Sequence, residues 1–246
     1  MKTVDLSLVI ACYNEEKILE KSVGEIEFVL KNARLSYEVI LIDDKSKDNT
    51  LELIKRIARG RKNFRFFSHR VNCGRGKTVS DGIKKAKGKV VGFIDIDIEV
   101  SPIYIPYFVG KILTGQADIV TGWRTYRETL ASLPREVLSR GYSFLVRKLL
   151  GVKLNDTESG YKFFNRRKIL PVLKKTRNPG WFWDTEIMVL AYYDKLIIKE
   201  IPVLFIRRFD KQSTVNVIPD TVSYFVNLYR FRKRLKSDFK ISHGKN

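Results

Sequence analysis

Short apolar, β-branched runs at Leu6 to Ala11, Glu38 to Asp43, Phe64 to Ser68, Val90 to Asp95 and Ile119 to Gly122 alternate with longer stretches of helical apolar spacing. Near-continuous apolar runs of this kind suit strands covered on both faces. The intervening stretches, near Glu16 to Lys31, Asp48 to Ala58, Lys77 to Lys87 and Ile103 to Leu113, supply that cover. The alternation predicts an α/β fold with a mostly parallel central sheet flanked by helices. Ser46 and Asp48 are placed to accept from the free N–H groups opening the second helix, and Asp48 and Glu52 favour the positive end of its dipole.

From about Tyr126 the alternation stops. Arg135 to Leu150 reads as an amphipathic basic helix, Asn155 to Lys162 as a polar loop, and Asp184 to Tyr193 as a helix. Leu196 to Arg207 follows as a strand pair, and a last helix runs from Pro219 to Lys236. The organisation expected is one main unit over 1–218, made of an alternating half (1–125) and a mixed half (126–218). Residues 219–246 then form a basic amphipathic helix and tail.

Parallel α/β sheets bind ligands at the carboxyl ends of their strands. Four such ends here are polar: Tyr13-Asn14-Glu15, Asp43-Asp44, His69 to Lys77, and Asp95-Ile96-Asp97. One polar loop is ordinary capping; four at one edge suggest a charged ligand with a cation. Alternation along an extended strand would put Asp95, Asp97 and Glu99 on one face, where a hard divalent cation such as Mg²⁺ or Mn²⁺ relieves their repulsion and holds a diphosphate. One carboxylate of Asp43-Asp44 could accept from a ribose hydroxyl or a base N–H. Asn72-Cys73-Gly74-Arg75-Gly76-Lys77-Thr78 looks like a phosphate-cradling loop with Lys77 as its charge. It is not a Walker A loop, because Val71 stands where glycine is required.

The 246 residues carry 47 Lys+Arg against 27 Asp+Glu, a net charge of +20 that calls for an anionic partner. The acids at the strand ends argue against a nucleic-acid phosphate backbone as that partner. Cys12 and Cys73 cannot make a disulfide framework, and the first residues lack the apolar core of a signal peptide, so a cytoplasmic setting is expected. No apolar run is long enough to span a bilayer. His69 and His243 read as surface or core fillers, and Asn155-Asp156-Thr157 is a sequon in form only.

Taken together, Leu8 to Glu16, Ile42 to Thr50, Asn72 to Lys77, Asp95-Ile96-Asp97 and Gly122-Trp123-Arg124 resemble the successive blocks of family 2 glycosyltransferases, most closely those that charge polyprenyl phosphates with a sugar, such as the dolichyl-phosphate mannosyltransferases. The resemblance implies a GT-A fold and an inverting, metal-dependent transfer of a hexose from a nucleotide sugar (GDP-mannose or a UDP-hexose) to a polyprenyl phosphate. It makes 1–218 the catalytic unit, with 1–125 its nucleotide-binding half and 126–218 its acceptor half. It places Ala11, Tyr13, Glu15 and Asp43 on base and ribose, and Asp95, Asp97 and Glu99 on Mg²⁺ or Mn²⁺ and the diphosphate, with Glu99 where many relatives carry Gln. Ser159 to Phe164 matches a later family block. Arg208 and Ser213 match a loop over the donor phosphates, with Lys211 and Thr214 departing from its pattern.

Arg124, Arg135, Ser139 and Arg140 are then the candidates for gripping the acceptor phosphate. Because such a phosphate is already anionic, no base is required. A saccharide hydroxyl would need one, and Asp184 or Glu186 is placed for it. The resemblance also implies work at the cytoplasmic face of a membrane, with a membrane partner subunit. There the final helix, Tyr224 to Arg234, would lie in the interface. A core-packed last helix is the alternative.

Overall fold

The structure is a computed structural model that describes residues 4–126, 133–207 and 217–238, the side chains of 126, 133–140 and 217–222 lying outside that description. The first half follows the alternation: β1 (Leu6–Cys12), α1 (Leu19–Asn32), β2 (Tyr37–Asp43), α2 (Thr50–Ala58), β3 (Phe64–Ser68), α3 (Arg75–Lys85), β4 (Val90–Ile94) and α4 (Ile105–Leu113). A single 3-10 turn, Pro102–Tyr104, leads into α4. The second half adds β5 (Ile119–Tyr126), α5 (Leu133–Leu150), β6 (Tyr161–Asn165), α6 (Arg166–Leu173), α7 (Trp183–Tyr193), β7 (Ile198–Phe205) and α8 (Val217–Asp238).

All the strands join one seven-stranded sheet in the order β3-β2-β1-β4-β6-β5-β7. Only β6 runs against its neighbours, antiparallel to both β4 and β5. It is the main departure from the expected pattern. The region read as a polar loop to Lys162 turns into a strand at Tyr161, and Asn165 then caps α6 by accepting from the N–H groups of Arg167 and Lys168. The expected strand pair at Leu196 to Arg207 is one strand, β7, parallel to β5 at the sheet edge.

Side-chain alternation along the strands sorts the core onto two faces. Leu8, Ile10, Val39 and Leu41 meet α1, α2 and α4, while Val9, Ile40, Ile42, Val91 and Phe93 meet α3, α6 and α7. The last helix packs on this second face through Tyr224, Leu228, Phe231 and Leu235. Phe231 and Tyr224 both meet Phe182, at ring centroids 5.7 and 6.3 Å away. The opposite face of α8 leaves Phe225, Val226 and Tyr229 exposed. Among the described residues no helix is long and apolar enough to cross a membrane.

Candidate active site

The parallel strands β1, β2 and β4 end at one edge, and their loops build the first wall of the site. Asn14, at a left-handed φ of 57°, donates its N–H to Ser46 Oγ (3.0 Å) and accepts from the Lys47 N–H (2.8 Å). Glu15 N–H donates to Thr50 Oγ1 (2.7 Å), and Glu16 N–H to Asp48 Oδ2 (3.2 Å). The loops after β1 and β2 are thus stitched together by hydrogen bonds. Ala11, Tyr13 and Asp43 sit along this wall, and Asp43 closes a local turn by accepting from the Ser46 N–H (3.2 Å).

Asp44 organises the next loop. Its two oxygens accept from the N–H groups of Cys73 (2.9 Å) and Gly74 (2.8 Å), and His69 Nδ1 lies 2.7 Å from Oδ1. His69 is therefore more than filler. The ligand atoms of Asp44, His69 and Cys73 lie within 4.8 Å of one another, the one such group of three among the described residues. With Asp44 spent on loop amides, its role there is to hold the loop. Gly76 is a glycine because α7 approaches: a Cβ there would come within 2.4 Å of Trp183 Cβ. The close approach expected toward phosphates is made toward protein. Lys77 pairs with Asp81 one turn along α3.

The acids after β4 differ from the extended alternation expected of them. The strand stops at Ile94, and Ile98 N–H donates back to Asp95 O (3.2 Å) with Ile98 at φ 48°, so Asp95, Asp97 and Glu99 occupy a turn. A left-handed residue breaks the two-residue period that would have aligned them on one face. Asp95 faces Arg75, whose Nε donates to Asp95 Oδ1 at 2.9 Å. It also rests on Gly160, where a Cβ would fall 1.7 Å from Asp95 Oδ2.

Arg75, not singled out from the sequence, is the centre of the second wall. Besides Asp95 it pairs with Asp184, and it lies 5.3 Å from the Phe93 ring and 5.0 Å from Trp181. Burial alone would lower the Arg75 guanidinium's affinity for its proton; the charges of Asp184 and Asp95 more than reverse this. Lys162, fully buried on β6, reaches Asp184 Oδ1 at 2.8 Å. Burial still holds its ammonium below the ordinary value, with Asp184 opposing. Both Asp184 oxygens are therefore engaged by cations. Glu186, the other acid proposed as a base, accepts from the N–H groups of Arg177 (2.9 Å) and Asn178 (2.8 Å) and from Arg234 of α8 (2.5 Å). It ties the last helix to the core.

Arg124 at the end of β5 spans Asp156, with Nε and Nη2 at 2.7 and 3.0 Å. Burial would raise Asp156, but the Arg124 charge and hydrogen bonds hold it below the usual carboxylate value. An acceptor phosphate reaching Arg124 must therefore share it with Asp156. The side chains of Arg135, Ser139 and Arg140, on the first part of α5, and residues Arg208 and Ser213 lie outside the described residues.

A glycosidic donor needs a nucleotide wall, an acidic turn for a cation and a cationic pocket for phosphates, and this edge offers all three. The family model described as "Glycosyl transferase family 2" matches residues 7–171. The chain belongs to glycosyl transferase family 2. This family 2 glycosyltransferase is 31% identical over 212 residues to a dolichyl-phosphate beta-glucosyltransferase of Trichomonas vaginalis, covering 82% of this chain and 65% of that protein. It is 30% identical over 222 residues to the dolichyl-phosphate beta-glucosyltransferase of Saccharomyces cerevisiae, covering 80% of this chain and 66% of that one. Glycosyltransferase AglD of Haloferax volcanii is 29% identical over 204 residues, 81% of this chain and 33% of that protein. The chain thus spans about a third of the last relative and just under two thirds of the other two.

Glucosyl-3-phosphoglycerate synthase from Mycobacterium tuberculosis, in complex with Mn²⁺, UDP and glucosyl-3-phosphoglycerate, superposes with a TM-score of 0.70 at 24% identity, covering 93% of this chain and 80% of that one. Its complex with Mn²⁺, UDP-Glc and phosphoglyceric acid gives 0.69 at 25% identity, covering 93% and 79%. The fold of the glycosyltransferase is GT-A.

Proposed function

We propose that this glycosyltransferase moves a hexose, glucose in the first instance, from a UDP-sugar to a polyprenyl (dolichyl-type) phosphate at the cytoplasmic face of a membrane, with inversion at the anomeric carbon. Glucose and UDP are favoured over mannose and GDP by two relatives' names and by the UDP-Glc complex of the mycobacterial neighbour. The stitched β1 and β2 loops would take base and ribose, and the half from 126 onward the acceptor.

One observation carries the choice of acceptor. Both acids named as candidate bases for a hydroxyl are already committed: Asp184 to Arg75 and Lys162, Glu186 to two amides and Arg234. An acceptor that arrives as an anion needs neither. An acceptor phosphate oxygen attacks C1, the bond from C1 to the diphosphate oxygen breaks, and its electron pair leaves on the nucleoside diphosphate. Asp97 and Glu99, hard oxygen donors on one turn with Asp95 behind them, fit Mg²⁺ or Mn²⁺ better than the mixed oxygen, nitrogen and sulfur set around Asp44 does. Such a cation, when bound, neutralises charge on the departing diphosphate. Arg75 would stand between that charge and Asp184. At the membrane, the outward Phe225, Val226 and Tyr229 of α8, beside exposed Arg230 and Lys233, would lie at the interface.

The test is transfer itself. Purified chain with Mn²⁺, UDP-glucose and undecaprenyl or dolichyl phosphate in detergent should give a glucosylated lipid phosphate detectable by mass spectrometry. Transfer to a saccharide hydroxyl, with the lipid phosphates left untouched, would overturn the acceptor assignment.

A further inference from the structure

Glu158 is an acid of the site that neither the fold nor the reaction above uses. It sits in the loop entering β6, where its backbone N–H donates to Asp156 Oδ1 (3.0 Å). Only 20% of the side chain is exposed, yet among the described residues the one cation within ion-pair distance of its carboxylate is Arg124 Nη2 at 3.7 Å. That is beyond hydrogen-bond length, and the same guanidinium already spans Asp156. A buried carboxylate is ordinarily paired or hydrogen-bonded. Among the described residues this one has a single, long ion-pair contact.

Among the described residues, the charged and titratable groups around it come from the elements packed there. They are Arg124 on β5, Asp156 in the same loop, Lys162 on β6, Asp184 on α7, Tyr142 on α5 and Tyr224 on α8. Burial raises the Glu158 carboxyl most, Arg124 opposes, Asp156 and Asp184 raise it further and Lys162 pulls it back, leaving it pushed up to about 7. A phosphate monoester loses its second proton near pH ~6. When one proton is shared between such a phosphate and Glu158, it therefore resides on the carboxyl. A monoanionic phosphate that enters gives its proton to the Glu158 carboxylate: the phosphate O–H bond breaks, the carboxyl O–H bond forms, and total charge is unchanged. The phosphate is left as the dianion, the more nucleophilic form, facing a neutral O–H donor in place of a repelling charge.

We infer that Glu158 recognises the phosphate monoester of the acceptor by donating a hydrogen bond to it from its protonated carboxyl, and that the ionised carboxylate repels the phosphate dianion. The inference rests on the acceptor being a phosphate, as proposed above. It makes Glu158 a specificity-determining residue for a phosphate acceptor, and it ties acceptor affinity to pH.

Initial rates at saturating UDP-glucose, with undecaprenyl phosphate varied, give the acceptor KM between roughly pH 6 and pH 8.5. The native KM is expected to climb through neutrality, approaching about tenfold per pH unit above the midpoint. Glu158→Gln keeps a donor of the same shape and cannot ionise, so its KM stays low and flat. At about pH 8 it should bind acceptor roughly tenfold more tightly than the native chain. The change reads in KM rather than kcat, and UDP affinity by calorimetry reports that each variant is folded. A native KM that does not depend on pH, or a Glu158→Gln variant that keeps the native dependence, overturns the role of Glu158. No lipid product at any pH, on protein that still binds UDP, overturns the proposed donor and acceptor pairing instead.

Discussion

The two walls of the site are built by different forces. The loops after β1 and β2 are joined mainly by bonds from backbone N–H groups to side chains, as in Asn14 to Ser46, Lys47 to Asn14 and Glu15 to Thr50. The second wall is joined by charges taken out of water: Arg75 between Asp95 and Asp184, Lys162 on Asp184, Arg124 on Asp156. Neutral stitching is local, additive and indifferent to pH. A buried charge network is none of these, because removing one member strands the others.

The sharpest way to break that contrast is Asp184→Asn, which strips buried Lys162 of its ion-pair partner and leaves Arg75 with Asp95 alone. It should cost about 3–5 kcal/mol by urea unfolding. A loss below about 1 kcal/mol would show the network to be a solvated surface cluster after all.

A second effect is a matter of pH. The folded Glu158 carboxyl, at about 7, lies above its ordinary 4.5, so the fold favours the protonated form. Stability is then lost as pH rises from the ordinary value through the folded one. Glu158→Gln removes that loss, and its advantage over the native chain should grow to on the order of 2 kcal/mol by about pH 8. Equal melting shifts at acid and alkaline pH would remove the linkage.

On the first wall, Thr50→Val deletes a hydroxyl that accepts from Glu15 N–H and donates to Asp48. The expected cost is about 1–2 kcal/mol, the same at every pH above the carboxylate range. A pH-dependent cost would mean that this wall too is electrostatic. The smallest stability effect belongs to the outer face of α8. Phe225→Ser with Tyr229→Ser should change stability by less than about 0.5 kcal/mol while releasing the chain from anionic liposomes in sedimentation. Unchanged sedimentation would remove α8 as the contact surface.

What could be read beforehand follows the same division. The strands β1 to β4 were legible because each is a short apolar run closed by polar residues, a signal confined to neighbours in sequence. Asp48 was legible in the same way, since it accepts from the Thr50 N–H that opens α2, but Ser46, expected to do likewise, accepts from the Asn14 N–H of the β1 loop instead. By contrast β6 looked like a loop, since Lys162 interrupts its apolar pattern. Lys162 is tolerated in the sheet because Asp184 meets it from α7. The acids after β4 were found, but their arrangement was not: Ile98 in the left-handed region turns them out of the expected row. Arg75 was passed over inside a glycine-rich segment, and nothing near it in the chain announces partners at Asp95 and Asp184. The basic, aromatic stretch of α8 was equally ambiguous, since one helix divides Phe231 and Tyr229 between core and surface.

By itself, the amino-acid sequence determined the α/β alternation, the polar strand ends and the residue blocks shared with family 2, because hydrophobic periodicity and loop chemistry act over a few residues. Tertiary structure alone decided the antiparallel insertion of β6 and which acids are neutralised by which cations. Those outcomes depend on groups far apart in the chain meeting where water is excluded, and a charge's cost or use is set by what it meets there.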